Sequence, residues 1–366
     1  MILEKLSIIN YKNIEHADLS FSPKMNCFVG NNGVGKTNIL DAIYYLSFCK
    51  SSLNFIDTQN IRHEADFFVL QGSYTDEENK KENIYCGLKR QHKKVFKRND
   101  KEYSKLSEHI GKIPLVIVSP NDIDMIIGTS EERRKFLDMV ISQYDSDYLY
   151  EEIRYRKALK QRNTLLKQDT PIDEDFILSF EMVMADAGDK IYRKRKAFLD
   201  MFIPIFQKEF SQLCDAEEEV SLCYKTNWEE GNMLHVFQCN RQRDSIVGFT
   251  LCGVHRDDLE MSLGGYKIRM EGSQGQTKTY LVALKLAQFE FIKQKKKSTP
   301  ILLLDDIFDK LDATRVEKIL NLVSKDTFGQ IFITDTNRNY ISEIIEKTRT
   351  EAKIFEVRGG EIVDET

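Results

Sequence analysis

The sequence predicts an α/β protein in which a domain built on a mixed sheet is interrupted by a helical arm. Near the N-terminus, a predicted strand, "MNCFVG", leads through a glycine-rich loop into an apolar helix, "TNILDAIYYLSF". Residues 121–214 are highly charged, contain almost no glycine and show helical periodicity, and strands return after them. We therefore expect residues 1–120 and 215–366 to form two lobes of one discontinuous head, and residues 121–214 to form the arm.

Composition narrows the class of protein. The 366 residues are 41% hydrophobic, which suffices for two domains or one large interrupted domain. The net charge is -5, so any binding to nucleic acid must rely on local basic patches. Seven cysteines without a C-x-x-C pair predict reduced thiols in a cytoplasmic protein. The alternating N-terminal residues predict a strand rather than a signal peptide, and no apolar run is long enough for a membrane helix.

Both lobes of the head are predicted to contain several strands. In the first lobe these are "KLSIINYKNIEHADLSF", "MNCFVG", "FFVLQGSY", "NIYCGLK", "KKVFKRNDKEY" with a turn at "ND", and "IPLVIVSP". In the second lobe they are "EVSLCYKTNW", "DSIVGFTLCGV", "DLEMSLGGYKIRM", "PILLLDDIF" and "GQIFITDT". A helix from about Gln274 and another helix after "PILLLDDIF" complete the second lobe.

The arm is predicted to be an antiparallel helical hairpin. Two long periodic segments are separated only by the polar stretch "QDTPIDED". Thr129 and Glu132 have the spacing of a capping box, which predicts the start of the first arm helix.

A phosphate-binding loop is the most specific local motif. "GNNGVGKT" follows a predicted strand, opens a helix and matches G-x-x-x-x-G-K-[ST]. Lys36 is expected to reach the β- and γ-phosphates and to act in catalysis, and the Thr37 hydroxyl to bind Mg²⁺. A glycine turn before a core helix is the structural alternative, and the strand, loop and helix context favours an ATP site. The predicted nucleotide contacts are Gly30, Asn31, Asn32, Gly33, Val34, Gly35, Lys36 and Thr37.

Paired carboxylates follow the most apolar predicted strand. Asp305 and Asp306 end "PILLLDD", where ligands of parallel sheets usually bind. We expect Asp305 to hold Mg²⁺ and Asp306 to polarise the attacking water as a catalytic residue. The alternative is that they only cap the next helix.

This arrangement resembles the head of ABC-type ATPases. Asp306 stands where those proteins usually carry glutamate, and a shorter carboxylate implies slow hydrolysis. "FDKLDA", with Asp312, resembles their D-loop, and Asp335 in "FITDT" stands where their switch histidine would be.

The stretch "SQGQ" resembles the signature loop of the same class. Ser273, Gly275 and Gln276 fit S-x-G-Q, and the resemblance implies that they complete the ATP site of a partner subunit in trans. Lys36 and Ser273 are separated by the predicted arm, a spacing that resembles the SMC and Rad50-like branch rather than transporter ATPases.

Longer strings resemble the RecF family of bacterial recombination mediators. They are "FVGNNGVGKTNILDAI", "SPNDIDMIIGTSEERRKFLDMVISQY", "KALKQRNTLLK", "GVHRDDLEMSLGG", "SQGQTKT" and "LLLDDIFDKLD". Three positions depart from the usual family pattern. Val254 replaces a proline, Thr277 replaces a second glutamine after the signature, and Leu53 replaces an arginine, for which Lys50 or Arg62 could substitute.

The segment "HRDD", from His255 to Asp258, allows two interpretations. Histidine and aspartate can bind a metal ion. We favour instead a charged hydrogen-bond cluster beneath the signature loop that couples it to the arm.

Basic residues that could contact DNA lie on a predicted hairpin. Lys93, Lys94, Lys97 and Arg98 interleave with Val95 and Phe96 in "KKVFKR", and would bind phosphates without reading bases. The alternative is an edge strand that its lysines protect from aggregation. Two arm helices are also basic, although charged helix faces are usually only solvated. The arm cations are Arg154, Arg156, Lys157, Lys160 and Arg162 on one helix and Arg193, Lys194, Arg195 and Lys196 on the other.

The RecF resemblance implies a function. It implies a slow, DNA-stimulated ATPase that uses ATP and Mg²⁺, forms an ATP-dependent homodimer and binds single-stranded DNA and junctions of single- and double-stranded DNA. RecR would be its partner, and RecO and RecR would then load RecA. One alternative is another SMC- or Rad50-like ATPase, including one that works with a nuclease. A second alternative is a transporter-type ATPase, although the charged arm offers no apolar patch for docking to a membrane partner.

Overall fold

The computed structural model describes residues 1–54, 56–168, 173–214, 218–307, 318, 328–348 and 351–364. The chain divides into two compact units, one of residues 1–122 with 282–366 and the other of residues 123–281. This division differs from the predicted one, in which residues 215–281 belong to the head. In the structure these residues pack with the arm helices, for example where the Arg133 guanidinium meets the Asp258 carboxylate at 2.6 Å.

The first unit contains an antiparallel sheet of six strands in the order β2-β1-β4-β5-β6-β7. Buried and exposed residues alternate along its strands, so the sheet buries one face, as the alternation of apolar and polar residues predicts. Asn99 and Asp100 form the β6–β7 turn with φ of 49° and 64°, which confirms the predicted turn at "ND". The strands are β1 (Ile2–Tyr11), β2 (Ile14–Ser20), β4 (Phe67–Thr75), β5 (Lys81–Lys89), β6 (Val95–Arg98) and β7 (Lys101–Glu102).

A second sheet in this unit has the order β15-β14-β3-β13-β12-β8. All its strands except β15 run parallel, and β3, β8, β12 and β13 are buried along their whole length. Buried parallel strands explain the continuous apolar runs in the sequence. The strands are β3 (Met25–Val29), β8 (Leu115–Val118), β12 (Ile301–Asp305), β13 (Ile331–Asp335), β14 (Ala352–Arg358) and β15 (Glu361–Asp364). The helices α1 (Lys36–Phe48) and α9 (Arg338–Thr348) also belong to this unit.

The second unit combines helices with a sheet of three antiparallel strands in the order β11-β10-β9. The helices are α2 (Asp124–Ile127), α3 (Ser130–Tyr144), α4 (Ser146–Leu166), α5 (Glu174–Leu213), α6 (Met233–Val247) and α7 (Ile268–Glu271). The strands are β9 (Val220–Lys225), β10 (Asp258–Leu263) and β11 (Tyr266–Lys267). The helix α8 (Gln274–Lys296) begins in this unit and ends in the first. None of the helices in the described ranges is long and apolar enough to span a bilayer.

The predicted helical hairpin is confirmed. Ion pairs join successive positions of α4 to positions of α5 in reverse order, as antiparallel helices require. From one end to the other the pairs are Asp145 with Lys194, Glu151 with Lys190, and Arg162 with Glu181. Asp173 caps α5 by accepting hydrogen bonds from the N–H groups of Asp175 and Phe176.

Two details of the sequence prediction are wrong. "DSIVGFTLCGV" is not a strand, because its first four residues end α6, which was missed, and Gly248 follows with a φ of 76°. The β-branched Ile246 and Val247 suggested a strand, yet both are exposed at the end of the helix. Thr129 does precede α3, but its side chain makes no capping bond. The predicted D-loop, with Asp312, and most of the helix expected after it lie outside the described residues.

Candidate nucleotide-binding site

The site lies at the carboxyl edge of the parallel sheet. The strands β3, β13 and β12 are neighbours, so the loops that leave them meet. The N–H of Gly30, after β3, donates to the carbonyl of Asp335 at the end of β13 over 3.3 Å. The Thr37 hydroxyl donates to the Asp305 carboxylate, at the end of β12, over 3.0 Å. The structure therefore brings the predicted phosphate loop and the predicted metal carboxylate together.

Glycines allow the phosphate loop its backbone shape. Gly30, Gly33 and Gly35 have φ of 157°, 79° and 116°, a region that other residues rarely adopt. A Cβ at Gly30 would lie 2.4 Å from the Val357 carbonyl oxygen. A Cβ at Gly35 would lie 2.6 Å from the Asn13 amide nitrogen, so neither position accepts a side chain.

Lys36 and the start of α1 fit a bound anion. Lys36 is 4% exposed, and its ammonium group donates to the carbonyls of Gly30 at 2.9 Å and Asn31 at 3.1 Å. Gly35 precedes α1 and offers no side-chain cap, so the first N–H groups of α1 are left for an acceptor from outside the helix. A cation beside uncapped N–H groups at a helix start is the donor set that phosphates bind.

Asp305 and Thr37 fit a magnesium ion. One oxygen of Asp305 accepts hydrogen bonds from Thr37 and, over 2.7 Å, from the Thr334 hydroxyl. Burial raises the pKa of Asp305, and the hydrogen bonds from Thr334 and Thr37 offset this effect only in part. A hydroxyl and a carboxylate are hard oxygen ligands of the kind that Mg²⁺ prefers. Thr334 was not predicted from the sequence. The feature that could have indicated it is its position directly before Asp335 on a strand that neighbours β12.

Asp306 lies next to this cluster with an unusual backbone. Its φ is 44°, and its N–H donates to the Thr334 hydroxyl over 3.0 Å. Asp335, at the position of the switch histidine, is 7% exposed and accepts a hydrogen bond from the Asn337 N–H over 2.6 Å. Burial raises the pKa of Asp335, and the charge of Asp306 adds to this effect.

The signature residues form a separate cluster in the second unit. The Ser273 hydroxyl accepts from the Gln276 N–H over 3.2 Å, and the Gln276 side chain accepts from the Ser273 N–H over 3.0 Å. This reciprocal pair is a capping box at the start of α8. The Gln276 amide also donates to Glu218 over 2.9 Å, and the Gly275 carbonyl accepts from the Thr279 hydroxyl.

The "HRDD" segment is a hydrogen-bond cluster. His255 contacts the Tyr155 hydroxyl at 2.7 Å, and burial lowers the pKa of His255 to about 3, so the ring is neutral. Asp257 accepts from the Tyr224 hydroxyl over 2.5 Å, and Asp258 pairs with Arg133. No group of three or more His, Cys, Asp and Glu side chains in the described part of the chain is placed to hold a metal ion.

The segment after α1 is held by a buried carboxylate. Asp41, on α1, accepts hydrogen bonds from the Ser51 and Ser52 hydroxyls and pairs with Lys12 at 2.5 Å. Burial opposes its charge, yet Lys12 and the hydroxyl donors lower the pKa of Asp41 below its usual value. Arg62, considered as a substitute for the arginine absent at Leu53, pairs with Glu15 at 2.9 Å.

The basic hairpin contains two kinds of cation. Lys94 pairs with Asp57 at 2.6 Å and also donates to the Cys49 carbonyl, so it points into the unit. Arg98 makes a bidentate pair with the buried Glu82. Lys97 lies over the Tyr85 ring, and Lys93 is exposed. Of the four predicted DNA contacts, Lys93 and Lys97 therefore remain the better candidates.

Most of the predicted arm cations also have acidic partners. Arg162 is fully buried between Glu181 and Asp244, and the buried Arg195 pairs with Asp138. Four others are paired at the surface: Arg154 with Asp186, Arg156 with Glu152, Arg193 with Glu230, and Lys194 with Asp145. The exposed Lys157 and Lys160 are the better candidates on α4 for DNA contacts.

Comparison with known sequences reveals full-length relatives. The family model of the RecF/RecN/SMC N-terminal domain matches residues 2–362. The DNA replication and repair protein RecF of Bacteroides thetaiotaomicron is 57% identical over 362 residues, which cover 99% of this chain and 98% of that protein. The protein of the same name from Porphyromonas gingivalis strain ATCC 33277 is 48% identical over 363 residues, covering 99% and 100%.

Comparison with solved structures gives the same result. The structure of the recombination mediator protein RecF-ATPrS in the RecFOR pathway has a TM-score of 0.89 at 27% identity, and the match covers 100% of this chain and 98% of that one. An Smc head domain from Pyrococcus furiosus has a TM-score of 0.58 at 17% identity, covering 99% and 96%, and so shares the fold. The predicted fold, an ABC-type ATPase head with a helical arm, is confirmed.

Proposed function

This chain belongs to the RecF family of DNA replication and repair proteins, and we propose that it is an ATP-dependent DNA-binding protein of recombinational repair and replication recovery. The carrying observation is the juxtaposition of an uncapped α1, Lys36 and the Thr37–Asp305 hydrogen bond of 3.0 Å at one edge of the parallel sheet. The likeness to RecF structures whose names include ATP supports the same ligand.

The site residues have separate roles in ATP hydrolysis. Lys36 and the N–H groups of the phosphate loop bind the phosphates, and Thr37 and Asp305 hold Mg²⁺. The metal, when bound, neutralises the charge that develops on the phosphate oxygens. Asp306 orients the attacking water. Its short side chain makes hydrolysis slow, and DNA binding stimulates it.

The signature loop completes the site of a second copy. Ser273, Gly275 and Gln276 lie at the start of a helix, where N–H groups and a hydroxyl suit a phosphate. A chain with a complete phosphate loop has no need of a second such helix start for the same nucleotide. ATP therefore joins two subunits, each nucleotide lies between one phosphate loop and the partner's signature loop, and hydrolysis reopens the dimer.

DNA is the substrate that this dimer holds. In the cytoplasm the dimer binds single-stranded DNA and junctions of single-stranded with duplex DNA. RecR and RecO then load RecA at the bound DNA. Lys93 and Lys97 contribute phosphate contacts, since Lys94 and Arg98 already pair with carboxylates of this chain.

The test compares gapped, single-stranded and duplex DNA with the Asp306→Asn protein, with and without Mg-ATP. We expect ATP-dependent binding, tightest to gapped DNA. The double variant Lys93→Ala/Lys97→Ala should weaken binding and reduce its salt dependence while ATP affinity is unchanged. The matched double variant Lys94→Ala/Arg98→Ala should lower stability instead. Absence of DNA binding in every nucleotide state would overturn the proposal and favour another ABC-type ATPase subunit.

A further inference from the structure

Two tight turns from opposite ends of the chain meet at one carbonyl of the phosphate loop. The first is the β1–β2 turn, where Lys12 and Asn13 separate the paired residues Tyr11 and Ile14. The second is the β14–β15 turn, formed by Gly359 and Gly360. The Asn13 amide donates to the Val34 carbonyl over 2.9 Å, and the Gly360 N–H donates to the same oxygen over 2.9 Å.

The two turns also fix each other. Lys12 has a φ of 53° and its ammonium group pairs with Asp41 on α1, which anchors the first turn. Gly360 has a φ of 91°, and a Cβ there would lie 2.5 Å from the Asn13 carbonyl oxygen. The Asn13 amide oxygen in turn accepts from the Asn38 side chain over 2.7 Å, so its amide group has one orientation.

This arrangement sets the direction of the next peptide group. A trans peptide is planar, and its C=O and N–H point in opposite directions. Two donors hold the Val34 carbonyl on the side of the turns, so the Gly35 N–H points away from them. No acceptor for that N–H is found in the described part of the chain. Gly35, whose φ of 116° suits glycine, would otherwise allow this peptide to rotate.

We infer that Asn13 is a positioning residue for the nucleotide: it orients the Val34–Gly35 peptide so that the Gly35 N–H is directed at the phosphates before ATP arrives. The inference rests on the proposed function, because it concerns the same site. Asn13 is an exposed side chain, so its role in this site does not depend on burial in the core. It is outside the G-x-x-x-x-G-K-[ST] motif and belongs to a different strand turn.

The experiment measures the dissociation constant of Mg-ATP and the melting temperature of the nucleotide-free protein. Asn13→Ala removes the amide donor, and Asn13→Asp keeps the shape and the acceptor for Asn38 but cannot donate to Val34. Both variants should weaken ATP binding about 3- to 10-fold, the effect of one lost hydrogen bond. Their melting temperatures should stay close to that of the natural protein.

The control is Asn83→Ala, which removes one exposed hydrogen bond between β5 and Ser73 of β4 and should change neither quantity. Equal ATP affinity of the natural protein and both Asn13 variants would overturn the inference. A loss of affinity matched by a large fall in melting temperature in both variants would also overturn it, since it would show a merely structural role. If the natural protein itself binds no Mg-ATP, the proposed function fails instead.

Discussion

The helices α1 and α8 both begin within two residues of a glycine, yet their first turns differ. Gly35, before α1, offers no side chain, so the N–H groups of α1 are left for a ligand. Ser273, before α8, forms a reciprocal capping box with Gln276, which uses part of the same donor set. The start of α1 therefore leaves donors for an acceptor from outside the helix, whereas the start of α8 is stabilised by its own side chains in the absence of ligand.

Removal of the cation beside α1 should have the largest effect. Lys36→Ala should raise the dissociation constant of Mg-ATP about 100-fold or more, because charge-assisted hydrogen bonds to the phosphates are lost. Isothermal titration calorimetry measures this. The matched control is Lys5→Ala, an exposed lysine on β1 that should leave the affinity unchanged. An effect below about 5-fold would show that the free N–H groups of α1 dominate binding.

A bulky cation at the start of α8 should affect dimerisation but not ATP affinity, whereas the loss of Lys36 from α1 should affect ATP affinity. If the signature loop acts only in trans, as we propose, Ser273→Arg should leave ATP affinity within about 2-fold and abolish the ATP-dependent dimer and its turnover. The measurement is sedimentation mass of Asp306→Asn and of Asp306→Asn/Ser273→Arg under saturating Mg-ATP. A dimer that persists in the double variant would contradict the assignment of Ser273.

The effect of removing the Asp305 carboxylate, which accepts a hydrogen bond from Thr37 of α1, on the melting temperature should depend on pH. Burial raises the pKa of Asp305, so the ionised group destabilises the nucleotide-free fold at neutral pH. Asp305→Asn should therefore raise the melting temperature at pH 7 while ending Mg-dependent hydrolysis. The gain should shrink as the pH falls through the raised pKa of the folded state toward the ordinary carboxyl pKa, because Asp305 becomes protonated.

The control for this prediction is Asp66→Asn, an exposed carboxylate whose loss should change stability little at any pH. A gain for Asp305→Asn that stays constant with pH would indicate that the amide makes a new hydrogen bond, and would contradict the electrostatic explanation.

The capping box of α8 should have the smallest effect. Gln276→Ala removes the bonds to the Ser273 N–H and to Glu218, and should lower the free energy of unfolding by about 1 kcal/mol. Urea denaturation of the nucleotide-free protein measures it, with ATP affinity unchanged. Gln294→Ala, on the same helix, loses a single exposed hydrogen bond to Glu290 among the described residues; it is the matched control and should cost less. Equal losses would mean that the capping box adds no stability.

The phosphate loop and Asp305 could be predicted from sequence because their motif and strand context are local. Asn13, Thr334 and Gly360 could not, since each contacts the site through a hydrogen bond to a residue that is distant in the chain. Strand register also explains an ion pair of the basic hairpin that the sequence did not indicate. Arg98 on β6 pairs with Ile84 of β5, which brings Glu82, two residues away on the same face, against its guanidinium.

Residues 215–281 show that a local sequence pattern also cannot place a domain boundary. The strands β9 and β10 read as head strands because their alternation is that of any half-buried sheet. Only side-chain contacts decide which helices cover them, such as Tyr224 of β9 with Arg195 of α5 at 3.2 Å. Alternation predicts a buried face but does not say what buries it.

The backbone conformation at Asp306 favours a short side chain at this position. Its φ of 44° lies in the left-handed region, which aspartate and asparagine enter more readily than longer residues do. Asparagine at this position would keep the conformation, so Asp306→Asn should remove the charge without disturbing the backbone. Glutamate would extend its carboxylate further into the site only at the expense of local strain. The turn after β12 thereby favours a short side chain at the position for which we propose a role in hydrolysis.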